Sequence, residues 1–364
     1  MYIITMSYYI LPKINNFINI NIIKDNKILK PYTSYSLYYF YNNFLNENGL
    51  LLENKICEDI IKIVNPYEFI HTIIPGFKYS VSKIPFVSSN FYDFLEITYT
   101  LNIFEFFQQK NIFSLHISPN YNSSIECMEI LRENKIDTNI GVISLNNEEY
   151  KEKEFDFIFF ELLPEDYENY NQYIVSMLNI IKLIIKSQNK NGCCILKISK
   201  IFYKSIIDIL FIITSMYEKV YIIKPNTSNI FKYDKYIICK GYIINDKKKI
   251  FYNDYFDKIN NFLLEYDGDF SNLNIQQVIH NEIPCNFINK IDDINIIMGQ
   301  QLLESYNLIV NIIKNKNRDM KIDNIKKINI QKCIQWCEKY NIPCNKFIEK
   351  SNIFLKSLEH EEVI

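Results

Sequence analysis

The middle of the chain alternates between short apolar runs and longer stretches with helical spacing. The runs at 113–117, 155–161, 193–198, 219–223 and 235–244 are short, rich in Ile, Phe, Tyr and Val, and bounded by polar or turn residues. Such runs read as strands buried on both faces. Between the third and fourth, Ile206, Ile207, Leu210, Ile213 and Tyr217 recur at helical spacing and predict a helix over 203–218. A second helix is expected over 165–186, with Glu165, Asp166 and Glu168 as its acidic first turn. Ser88 or Ser89 is placed to cap a third, running through Tyr99. Strand and helix in turn predict an α/β sheet, its last strand antiparallel to its neighbours. Short helices are expected at 36–46 and 56–64, and long ones at 278–305 and 329–355.

One residue interrupts the apolar logic. Lys197 sits near the end of the run CCILKI, where an ammonium is costly to bury. Two readings apply. The stem can pack while the head reaches solvent. Alternatively, open α/β sheets bind ligands beyond the carboxyl ends of their strands, and an ammonium there can stabilise developing charge.

Composition narrows the picture. The 364 residues are 48% hydrophobic, enough for a large core, and the net charge of −2 gives no global signature of a nucleic-acid binder. A local basic face remains compatible with it. The nine cysteines are odd in number and scattered, as expected of reduced thiols in a cytosolic protein. Cys333, Cys337 and Cys344 fit no standard zinc spacing, so no metal is expected. No apolar run reaches the roughly 18 residues of a membrane helix.

Three motifs lie in order within one stretch: ILKI at 195–198, YEKVYIIKPNTS at 217–228 and KYIICKGY at 235–242. This stretch resembles the end of the FtsJ-like RNA ribose 2'-O-methyltransferases, in particular the cap-methylating type of large DNA viruses. NPYEFIHTIIPG at 65–76 and SVSK at 80–83 resemble the same family, as does CNFINKIDDINIIMGQQLLESYN at 285–307. The resemblance implies a Rossmann-like S-adenosylmethionine-dependent methyltransferase sheet with a C-terminal helical extension. Residues 1–90 would form an N-terminal extension, 91–245 the core and 246–364 the helical C-terminal region. It implies capped mRNA as partner, a possible protein partner subunit, and a place in the host cytoplasm or the virion.

The implied site departs from the family pattern. The family's catalytic Lys-Asp-Lys-Glu set reads Asp93, Glu161, Lys197 and Asp234, so one position is identical and one reverses charge. Lys197 would activate the ribose hydroxyl, helped by Glu161 and Asp234. The S-adenosylmethionine loop falls at HISPNYNSSIECM, 116–128, which makes Ser118, Asn120, Asn122 and Ser123 the cofactor-binding candidates. The family's glycines are missing there. Asn tolerates a left-handed backbone, but close approach to a ligand is harder without glycine. Two functions follow from these residues: a methyltransferase, or a paralogue that has lost the cofactor and binds RNA or a subunit.

Overall fold

A computed structural model describes residues 8–52, 55–84, 86–145, 153–163, 167, 169–265, 273–315 and 318–345. The sequence's apolar runs become β3 (Phe113–Ile117), β5 (Phe155–Phe160), β6 (Gln188–Ile198), β7 (Tyr217–Ile223) and β8 (Lys235–Tyr242), and β4 (Thr138–Val142), which no apolar run announced, joins them. Helices α3 (Asn90–Leu101), α4 (Tyr121–Leu131), α5 (Tyr170–Ser187) and α6 (Lys204–Met216) precede or join them. Among the described residues the main sheet has seven strands in the order β1-β7-β8-β6-β5-β3-β4, where β1 is Tyr8–Ile10.

β4, β3, β5 and β6 are parallel, and β8 runs antiparallel between β6 and β7. A reversed last strand inserted beside the penultimate one gives a mixed α/β, Rossmann-like sheet. β3 connects outward to β4 on one side and across to β5 on the other. The β3/β5 boundary is therefore the switch point, where ligands enter open sheets of this kind.

The apolar runs are continuous because both faces are covered. Phe157 and Phe159 point into the layer under α3 and α4, while Ile158 and Phe160 point into the layer under α5 and α6. In β6, Ile195 takes the first side and Cys194, Leu196 and Ile198 the second. Lys197, two residues after Ile195, shares the α3 side by the period of two.

Several boundaries differ from expectation. β6 starts at Gln188, so the polar run before Gly192 is part of the strand, with Asn191 at φ 61°. Helix α5 starts at Tyr170, capped by the Asn169 side chain, which accepts from Asn171 N and Gln172 N. Glu165, Asp166 and Glu168 lie outside the described residues. The helix expected at 278–305 begins only at Cys285, after Pro284, as α8 (Cys285–Lys314). Residues 278 and 279 close strand β9 (Asn274–Ile279) instead.

β9 pairs with β2 (Ile20–Asp25) in a small second sheet. Neither β1 nor β2 is visible as a periodic pattern, since each is short and has a distant partner. α9 spans Arg318–Lys339 and stops short of Pro343, and residues 346–355 of the expected helix lie outside the described residues. Helices α1 (Tyr35–Leu52), α2 (Lys55–Val64) and α7 (Asp246–Leu264) complete the layers.

Candidate functional site

The site forms at the carboxyl edge of the parallel strands. Glu161 follows β5, and its backbone N–H donates to Ile117 O at 2.8 Å, which continues the β3/β5 ladder by one residue. Lys197 is the penultimate residue of β6 and lies opposite Tyr236 of β8. Asp234 immediately precedes β8, whose reversed direction brings its start to the same edge.

Lys197 Nζ is 2.6 Å from Glu161 Oε1, and both side chains are nearly buried. Burial alone would lower the ammonium's pKa. The charges of Glu161 and Asp234 and the hydrogen bond to Glu161 outweigh burial, so the net shift is upward. A lysine held this firmly charged is an electrostatic group and not a base. Its Nζ also lies 5.8 Å from the Tyr236 ring centroid.

Glu161's second oxygen is engaged as well. Oε2 accepts from Ser118 Oγ at 2.7 Å and from Asn90 Nδ2 at 2.9 Å. Ser118 follows β3 and Asn90 opens α3, so the carboxylate ties three elements together across the switch point. Ser118 Oγ in turn accepts from Asn120 N at 3.1 Å.

Of the four cofactor candidates, only Ser118 reaches Glu161 with its side chain. Ser123 is buried and shares a 2.7 Å hydrogen bond with Ser88 Oγ. Asn122 is exposed on α4. Asn120 occupies the N-cap position at φ −121° without a side-chain cap bond. The left-handed turn that Asn could supply is not used: among the described residues of 118–124 none has positive φ.

Asp93, at the family's first lysine position, does not point at Glu161. Asn90, one helical turn earlier, does. Asp93 is buried and accepts from Thr227 Oγ1 at 2.5 Å, Ser228 Oγ at 2.7 Å and Tyr236 Oη at 3.0 Å. Burial pushes its pKa up, against those hydrogen bonds and the charge of Lys197. One turn later, Glu96 accepts from Asn226 Nδ2 at 2.7 Å and Thr227 N at 3.3 Å. Burial pushes its carboxyl up to about 7. Together the two acids of α3 hold residues 226–228, the start of the loop that ends in Asp234. Sequence reasoning passed over Asn90 and this latch, although the TS of the KPNTS motif is the half of it that was in view.

The edge also gathers cations and rings. Lys200 is exposed, with Nζ 5.9 Å from the Tyr41 ring centroid and 6.0 Å from that of Tyr233. Lys204 lies 5.7 Å from the ring of Tyr32. Burial lowers Lys224 to about 8 and Lys235 to about 7. Among the described residues no group of three or more His, Cys, Asp or Glu could hold a metal, and no helix is long and apolar enough to cross a membrane.

S-adenosylmethionine does not fit the residues as they stand. The cavity at the ends of β3, β4 and β5, lined by Ile117, Ser144, Leu145, Leu162 and Gln172 among others, measures about 160 Å³. Sites for molecules of that size typically exceed about 300 Å³. The Ser118–Glu161–Asn90 bridge spans the β3/β5 boundary beside it.

No family model matches the sequence, and no curated protein matches it. Among solved structures, one described as a ribosomal RNA methyltransferase from Plasmodium falciparum is similar at 16% identity and a TM-score of 0.34. The match spans 44% of this chain and 100% of that one. A likeness at that TM-score carries no argument, and the fold assignment rests on strand order and direction.

Proposed function

We propose that this chain is an RNA ribose 2'-O-methyltransferase-type protein, of the viral cap-methylating kind, that binds RNA without transferring a methyl group. The carrying observation is Glu161. A carboxylate that acts on a ligand needs an oxygen facing it, whereas here both oxygens accept hydrogen bonds from the protein's own Lys197, Ser118 and Asn90. The small cavity beside that bridge leaves S-adenosylmethionine without a seat. What persists is a lysine-bearing edge flanked by aromatic rings, the composition that holds single-stranded RNA through phosphate contacts and base stacking. Capped mRNA is the proposed ligand, with a partner subunit as a further candidate and the host cytoplasm or virion as the location.

A second reading, an active methyltransferase, is favoured by Lys197 itself. Its ammonium stands at the strand end, charged and oriented, with Glu161 and Asp234 beside it, where a ribose hydroxyl could be polarised.

Calorimetric titration with S-adenosylmethionine and a radiolabelled methyl-transfer assay on capped RNA separate the two. The first reading expects no cofactor binding, no transfer, and salt-sensitive RNA binding that survives Lys197→Ala. In that case Lys200→Ala should lower the slope of log affinity against log salt by about 1. Robust turnover abolished by Lys197→Ala would establish the second reading and sink the first.

A further inference from the structure

A separate cavity of about 330 Å³ opens beside the latch loop, between residues 66–67, residues 224–230 and α8. We propose that it is a nucleobase-binding subsite, a reading that rests on RNA as the ligand of the adjoining edge. Most of its wall is apolar, contributed by Pro66, Pro225, Ile230, Met298 and Leu308. Three segments far apart in sequence supply these side chains, so the cavity belongs to the folded chain and not to one loop. Its volume lies in the range of about 300–1,000 Å³ usual for small-molecule sites.

The polar groups define the ligand. The lining carries one ammonium, Lys224, one carboxylate, Glu304, and the side-chain amides of Asn226 and Gln301. One charge of each sign makes the lining electroneutral, which disfavours a phosphate. Donors and acceptors around an apolar slot suit a heterocycle whose faces are apolar and whose edge carries both kinds of group. Asn226 gives one amide N–H to Glu96, which fixes the side chain while leaving its carbonyl oxygen to a ligand.

Location supplies the second argument. Lys224 follows β7 and feels the charges of Asp234 and Asp93. The same loop therefore walls the cavity at one end and presents Asp234 to Lys197 at the other. A strand whose phosphates follow the lysine-bearing edge can place one base here. A base there is held by burial against the apolar wall, which the aromatic Tyr67 also lines.

The test uses the full chain, free nucleoside monophosphates and a short labelled single-stranded RNA. One variant, Met298→Trp, fills the cavity. The other, Gln301→Ala with Glu304→Ala, changes only exposed side chains and keeps the experiment decisive if the first fails to fold. The expected result is RNA binding weakened about tenfold or more by either variant, with the thermal transition of the double-alanine protein unchanged. Free nucleotides that bind and are weakened, alongside unaffected RNA, would keep the subsite and assign it to a free nucleotide instead of a strand. RNA that binds equally well to wild type and both variants would overturn the subsite while leaving the RNA reading intact. A wild-type chain that binds neither probe would overturn both.

Discussion

Glu96 holds a proton that an exposed glutamate would release. Its ordinary value is 4.5, and burial pushes the folded value up to about 7. Between those values the native state binds more protons than the unfolded chain, so raising the pH through the window removes stability. The loss is about 3 kcal/mol across the window, from about 1.4 kcal/mol per unit. His116 acts with the opposite sign. Burial lowers it from 6.5 to about 3, so acidification below 6.5 costs stability through that residue. Wild type alone would blur the two. Comparing Glu96→Gln with wild type at each pH isolates Glu96, because glutamine keeps an acceptor for Asn226 and has no proton to lose. The variant should gain about 3 kcal/mol relative to wild type between about pH 4 and pH 8. Urea denaturation at several pH values measures it, and a pH-independent difference would refute the assignment.

The packing of α4 on β4 turns on one missing side chain. A Cβ at Gly141 would lie 2.1 Å from Cδ2 of Tyr121, the first residue of α4. The ring therefore rests on bare backbone. Gly141→Ala should cost about 1–3 kcal/mol by overpacking, and nearly nothing in a Tyr121→Ala background. A denaturant double-mutant cycle checks this, and equal costs in both backgrounds would show that the ring is not the obstacle. Pattern alone found β3, β5, β6, β7 and β8 because runs such as FDFIFF are buried on both faces and have no rival reading. It missed β1 and β2, since three and six residues carry too few periods to stand out from Asn- and Ile-rich surroundings, and β4, whose TNIGV is mostly only half-buried and mixes polar with apolar residues. At the site, Lys197 was visible as a charge in an apolar run. Asn90 was not, because which face of α3 meets β5 is a matter of helix packing and leaves no mark in the spacing.

At the scale of the molecule, the C-terminal helix is part of the core around α3. Ile330, Ile334, Trp336, Tyr340 and Ile342 are buried in the same cluster as Phe91, Tyr92 and Leu95. Backbone hydrogen bonds from Lys83 N to Pro343 O and from Asn345 N to Val81 O lace the following segment to the loop before α3. Each large apolar side chain contributes about 1.5–3 kcal/mol when buried. Together the five approach the whole stability of a typical domain, about 5–15 kcal/mol. A chain ending at residue 315 should lose its cooperative thermal transition, as followed by circular dichroism. A sharp transition within a few degrees of the full chain's would mean that the helix is an accessory.

The pairing of Tyr8 with Ile223 and of Asp25 with Asn274 has a consequence for synthesis. A ribosome adding roughly 5–20 residues per second makes β1 tens of seconds before its partner strand exists. Throughout that interval the first two strands are open edges on a nascent chain. The stretch 113–198, whose strands pair with near neighbours, can close long before. β1 and β2 therefore find their places only after that stretch can close, and a stalled or slowed translation complex would prolong their exposure.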